Sequence, residues 1–343
     1  MMIQEILFLT VLIYIISTIY YYRYLKSPSN GVKLIIILLT LEIFIITTVM
    51  PFIAPLISTF ILTINYIFLY YKIIFSIISL IIISATVYPY RRRLKCLKRE
   101  ISAIDDVKFM VCYGGTVNAL YRVSRGDIQV SDKLLEILNG EELKAVVFHE
   151  VGHKKHRIVT IMVFFNKILW MLFLILAITS VVTILFVWML NPISITLSEF
   201  LSSLMSLTLI ASSTSLATML CDWLSEHEAD IYASEEVGIR SLTSALIKIH
   251  IYKGLNAEGI NWSNMKTHLN LNSQYLELMR DYRLKDILVL LLSKSFLNAL
   301  KIIEISRAFR RPLPETHPPL GLRIRKLLSL SSGPQITLSS LYD

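Results

Sequence analysis

Charge is scarce in this chain. Asp, Glu, Lys and Arg make up 17% of its 343 residues, against about 25% in a soluble domain. With 55% hydrophobic residues, that shortage argues against an ordinary soluble enzyme and for a membrane protein. Cysteine is also sparse. Cys96, Cys112 and Cys221 form an odd, scattered set, which speaks against a disulfide framework, and no Cys-x-x-Cys pair offers a thiolate metal site. The expectation is unpaired packing thiols. There is no internal repeat and no low-complexity tract. No RNA- or DNA-binding motif accompanies the net charge of +9. No nucleic-acid partner is therefore expected, and the excess reads as Lys and Arg flanking membrane spans. The N-terminus lacks the basic start of a cleaved signal peptide.

Long apolar runs are what the chain has in excess. The first, 3–22, is long enough to cross a bilayer, since a span needs about 20 residues. The next, 34–90, is divided by Pro51 and Pro55 into spans at 34–49 and about 66–88. It ends in a dense basic stop, Arg91, Arg92, Arg93, Lys95, Lys98 and Arg99. With that cluster in the cytoplasm, a reading with three spans puts every basic loop on one side. Glu42 falls inside the second span, where a carboxylate is costly and often functional. A further block, 158–190, is broken at Asn191-Pro192 and followed by a span at about 201–220. The loop between them holds Glu199 and no Lys or Arg, so this hairpin leaves and re-enters the cytoplasmic face. Residues 287–303 are apolar but carry Lys294 and Lys301, and read as a buried or interfacial helix. The chain thus divides into a transmembrane region (1–90), a first soluble half (91–156), the hairpin (157–220) and a second soluble half (221–343).

Within the first soluble half, 107–111 and 128–130 read as short strands, joined through Gly114-Gly115 and Asn118-Ala119-Leu120. Ser131 and Asp132 can cap a short helix that stops at Asn139-Gly140. Asn139 and Glu142 form a capping-box start for the next helix, which runs into His149 and His153.

That helix carries His149-Glu150-Val151-Gly152-His153. Histidines four apart present both imidazoles on one face, one turn apart. They can reach one zinc ion, and Glu150 can work on a zinc-bound water. A catalytic zinc needs three protein ligands and one open position. His156 lies about 10 Å along the helix axis from His149, too far to share an ion whose bonds to nitrogen are about 2.0 Å. Glu226, in Ser225-Glu226-His227-Glu228-Ala229-Asp230, is the better candidate, because its helix returns from the hairpin to the same membrane face. Asp230, one turn on, can accept a hydrogen bond from the outer nitrogen of a ligating histidine. The rivals are His227 and Glu228, which point to other faces if Glu226 points in. The bland alternatives are incidental histidines and a solvated acidic patch.

The order of these motifs resembles HtpX-type membrane metalloproteases and the type I CAAX prenyl proteases. The resemblance covers about 106–328, apart from the hairpin. It rests on Leu134-Leu135 through Glu142, Ala145-Val146-Val147, the His-Glu-x-x-His and the Glu-x-x-x-Asp. Asn118-Ala119 and Thr316-His317-Pro318-Pro319 with Arg323-Ile324 add to it. It implies a mainly α, multi-span helical membrane protein with a gluzincin-like zinc protease domain carrying a small β-sheet. It implies one Zn2+ per chain held by His149, His153 and Glu226, with Glu150 as the catalytic base. It implies that Asn118 and Ala119 lie on a strand edge where a protein or peptide substrate adds as an extended strand. His317 then approaches the zinc and either regulates it or steadies the oxyanion, the alternative being a loop histidine before prolines. HtpX-type enzymes usually have two leading spans, whereas three are read here; prenyl proteases have more spans around a chamber.

These readings lead to a zinc endopeptidase in the lipid bilayer of a prokaryotic plasma membrane, its active site facing the cytoplasm. It would cleave membrane or misfolded proteins. The alternatives are a CAAX-type prenyl-protein protease and, in another class, a zinc-stabilised membrane adaptor that holds extended segments without cutting them. An intact Glu150 argues against the adaptor, since a scaffold needs only the ligands.

Overall fold

A computed structural model of the chain describes residues 2–27, 31, 34, 36–38, 40, 96–113, 117–122, 126–156, 197–257, 282–303 and 317–330. They are mostly helical, with one small mixed sheet. In chain order the elements are α1 (Met2–Lys26), β1 (Lys98–Ile104), β2 (Val107–Tyr113), β3 (Ala119–Arg122), β4 (Asp127–Ser131) and α2 (Asp132–Ile137). Then follow α3 (Gly140–Lys155), α4 (Leu197–Val237), α5 (Ile239–Ala257), α6 (Leu284–Ile303) and α7 (Leu320–Leu328). Glu42, the third span, most of the second, the hairpin's first arm and Gly114-Gly115 lie outside the described residues.

The sheet order is β1-β2-β4-β3. The outer pairs are antiparallel and the central β2–β4 pair is parallel. β1 emerges from the basic run that the sequence presents as a membrane stop. Six of its seven residues are exposed, so no buried face imposes the alternation by which a strand is recognised. The β1–β2 hairpin also corrects the expectation of unpaired thiols. Arg99 pairs with Cys112, so Cys96, just ahead of the strand, falls beside it, and the two form a disulfide with a Cα–Cα distance of 4.8 Å. An antiparallel turn brings together residues 16 apart in sequence, whatever the parity of the cysteine count. Cys221 is buried elsewhere.

The helix that carries the histidines starts as its sequence dictates. Asn139 Oδ1 accepts the Glu142 N–H, and Glu142 Oε2 accepts the Asn139 N–H, both at 2.9 Å. Two orphan donors of the first turn are thereby satisfied. The same carboxylate reaches α5, accepting from Ser244 Oγ at 2.6 Å and Lys248 Nζ at 2.8 Å. Ser131 departs from expectation. Its side chain makes no cap bond to α2; its Oγ accepts the Asn118 N–H at 3.2 Å, a use that local spacing cannot reveal.

α4 is one continuous helix of 41 residues, about 60 Å long. The expected span at 201–220 and the segment bearing Glu226 are thus parts of a single rod. Gly238 ends it with φ 103°, a conformation that favours glycine. One apolar cluster joins Phe109, Val111, Ile128 and Val130 of the sheet to Leu134, Val146, Val147 and Ala245. A second joins Tyr21, Tyr24 and Leu25 of α1 to Leu216, Leu220, Trp223 and Leu224 of α4 and to Ile287 and Leu291 of α6. α1 and α4 run parallel, since Tyr14 meets Ser212 while Tyr24 meets Glu228. α6 buries Ile287, Leu291 and Ser295 and leaves Val289, Phe296 and Leu297 exposed, in keeping with a helix that is partly buried. Among the described residues α1 is long and apolar enough to cross a bilayer, over Leu7–Lys26.

α3 and α4 meet at Gly152. A Cβ there would lie 2.9 Å from Ala229 Cα and 3.0 Å from Ala229 O. The backbones therefore touch directly, one turn beyond both His149 and Glu226. Replacing Gly152 by valine should force the helices apart and cost about 1–3 kcal/mol. Thermal unfolding checks this; an unchanged midpoint would show that the crossing absorbs a side chain.

Candidate metal centre

The crossing of α3 and α4 sets three donors around one point. His149 Nε2 is 3.5 Å from Glu226 Oε2, and His153 Nε2 is 3.5 Å from Glu226 Oε1. One ligand atom from each of the three residues lies within 4.8 Å of the other two. The imidazoles are edge to face, centroids 4.9 Å apart. His317, just ahead of α7, places Nδ1 2.8 Å from Glu226 Oε2 and keeps 58% of its side chain exposed. His156, one residue past α3, turns away to an edge contact with Tyr232. The rivals also turn away. His227 Nε2 is 2.9 Å from the Tyr21 hydroxyl, and Glu228 Oε1 accepts from Tyr24 at 3.0 Å.

Behind the histidines stands a buried charge relay. His149 Nδ1 is 2.9 Å from Asp230 Oδ1, although the contact is poorly directed. Arg323 of α7 donates to Asp230 through Nε at 2.7 Å and a terminal nitrogen at 2.5 Å. Burial works against the Asp230 charge, but Arg323 overcomes it and holds the carboxyl below its usual range. Burial likewise opposes a charged His149, and the Asp230 and Glu226 carboxylates overcome it, raising the imidazole to about 10. Glu226, also buried, is held well below the carboxylate range by His317, His149 and His153. When the His149 ring is neutral, an ionised Asp230 beside Nδ1 keeps the proton on that nitrogen and leaves Nε2 as the ligating atom.

Glu150 leans toward the sheet. Its Oε2 accepts the Tyr121 backbone N–H at 2.6 Å. Among the described residues β3 is the last strand of the sheet, paired with β4 on one side. The Asn118 carbonyl accepts the Ser131 N–H at 3.0 Å. Because backbone groups alternate sides along a strand, Ala119 and Tyr121 both present theirs away from β4. A cavity of 180 Å³ opens there, lined by Asn118 and Ala119 on one side, by His149, Glu150 and Glu226, and by Leu242 and Leu246 of α5.

The profile of Peptidase family M48 matches residues 92–331. The chain belongs to peptidase family M48. No curated protein and no solved structure matched it.

M48 members are metal-dependent peptidases, typically zinc enzymes, and the donor set here fits such an ion. Two ligands about 2.0–2.1 Å from one tetrahedral zinc stand about 3.3 Å apart. The histidine–Glu226 spacings of 3.5 Å match that and are long for hydrogen bonds. Glu226 Oε2 is buried with no well-directed hydrogen bond among the described residues. Two contributors carried no role in the sequence reading. Arg323 stood only as part of a resembling segment; a buried Asp230 demands a cation, and that demand is visible only in three dimensions. The Tyr121 bond uses a backbone group, so residue identity carries no signal for it.

Asp230→Asn should weaken zinc binding about 10- to 100-fold, the usual effect of removing a histidine's outer partner. Competition against a chromophoric chelator measures it, and undiminished affinity would exclude the relay.

Proposed function

We propose that the protein is a zinc-dependent membrane endopeptidase, HtpX-like in role, that cleaves membrane or misfolded proteins. The observation that supports this best is the meeting of His149, His153 and Glu226 with Glu150 on the rim of an open strand edge. When bound, zinc acidifies water and polarises a carbonyl. Glu150 is the proton carrier. Its carboxylate takes a proton from the attacking water and passes it to the leaving amine. The Tyr121 N–H donates to one of its oxygens and so favours the position beside the strand. A substrate segment adds beside β3, pairing with the outward N–H and C=O of Ala119. His317, more than half exposed, stands where it can steady a developing oxyanion or close the site.

The proposal extends to location: a multi-pass protein of a prokaryotic plasma membrane with its site on the cytoplasmic face. α1 and the distribution of Lys and Arg support it. The Cys96–Cys112 bridge bears on the choice of face, because disulfides are rare in a reducing cytosol outside hyperthermophiles. A site on the cytoplasmic face should leave all three cysteines open to alkylation in protein denatured without reductant, straight from its membranes. Labelling of Cys221 alone would show that the bridge forms there and would put the site on the oxidising face.

Glu150→Gln should retain zinc while peptide cleavage falls about 10²–10⁴-fold. Zinc content and cleavage of an unfolded membrane protein are measured together. Retained activity would remove Glu150 from the chemistry. Cleavage confined to lipidated C-terminal peptides would favour a prenyl-protein protease, and zinc-loaded protein that cuts nothing would favour an adaptor.

A further inference from the structure

Three consecutive residues of α4 are buried, and they face different partners. Glu226, His227 and Glu228 are 8%, 0% and 3% exposed. Glu226 faces the histidines. The next two are gripped by α1 and the turn that follows it. Tyr21 is 2.9 Å from His227 Nε2, and Tyr24 donates to Glu228 Oε1 at 3.0 Å. The Gly31 N–H donates to the same oxygen at 2.7 Å. A Cβ at Gly31 would stand 2.8 Å from that oxygen, so a side chain there would push the Glu228 carboxylate aside.

A second route leaves the same end of α1. Lys326 of α7 is fully buried and donates to the Tyr24 and Ser27 carbonyls at 3.0 and 2.6 Å. Those are carbonyls of the helix end, where partners inside the helix are missing. One turn earlier on α7 is Arg323, which holds Asp230 and, through it, His149. The two routes therefore end on different members of the metal-binding trio.

We propose that the C-terminal end of α1 is a working part of the metal centre. Tyr21 and Tyr24 are positioning residues that set the rotation of α4 through His227 and Glu228, and so place Glu226. Leverage makes the effect large. Side-chain ends ride about 5–6 Å from a helix axis, so a 10° rotation moves a carboxylate by about 1 Å. Metal–ligand distances hold to about 0.2 Å. Helix α4 is about 60 Å long and needs a lock at the level of its ligand.

The inference rests on the zinc reading above, and its test separates the two. Full-length protein in detergent is titrated with zinc against a chelator and with cobalt(II), whose visible absorption reports ligand geometry. The double variant Tyr21→Phe with Tyr24→Phe should bind zinc about 10- to 100-fold more weakly, as for other outer-sphere losses, with an altered cobalt spectrum. Gly31→Val should act likewise. Glu228→Gln keeps an acceptor oxygen and should stay near wild type, whereas Glu228→Ala should not. Tyr14→Phe is the control. It removes a buried hydroxyl of the same helix, bonded to Ser212 and Ser295 at 2.5 and 2.6 Å, and should lower thermal stability while leaving zinc affinity unchanged. Equal affinity in the double variant, or equal weakening by Tyr14→Phe, would overturn the positioning role. A wild type that binds neither metal would overturn the zinc reading itself.

Discussion

The direct backbone contact of Gly152 with Ala229 is the constraint on which the site depends. Ligands on two helices can share an ion only if the helices hold their ligand-bearing faces against one another, and a close crossing fixes that orientation. Here the close approach lies within one turn of each of the three candidate ligands. His149 and His153 flank Gly152 on one helix, and Glu226 precedes Ala229 by three residues on the other. The capping box and the Glu142 contacts to Ser244 and Lys248 fix the start of α3 against α5. The crossing point is then set from both directions.

Around that crossing the protein buries an unusual concentration of charge. Asp230, Arg323, Glu226 and His149 are all within a tenth of full burial. Such groups are tolerated only when each has partners. They form a chain from Arg323 through Asp230 to His149, with Glu226 between the histidines and His317. A chain of this kind stiffens the donors before any ion arrives.

Much of this was legible in the sequence because it is local. The capping box, the two histidines a turn apart and the strands read at 107–111 and 128–130 each lie in a short window with its own period or spacing. Glu226 could be read because topology, not distance in sequence, decides whether it meets His149. The rest depends on contacts between distant segments. β1 hides in a basic run because six of its seven residues are exposed and give it no alternating pattern. The bridge between Cys96 and Cys112 follows from the register of a hairpin that the sequence reading did not draw. Ser131 serves Asn118 rather than its own helix. Arg323 and Tyr21 gain their meaning only from the buried groups they face.

The continuity of α4 has a consequence for how this chain can vary. The helix joins Ser212, which meets α1, to Glu226, which meets α3, with no intervening loop. Each residue advances a helix by about 100° and 1.5 Å. A single insertion or deletion between these points would turn Glu226 out of phase with His149 and His153 while Ser212 stayed in place. Substitutions can be absorbed locally, but a change of length cannot, so this stretch keeps count of its residues.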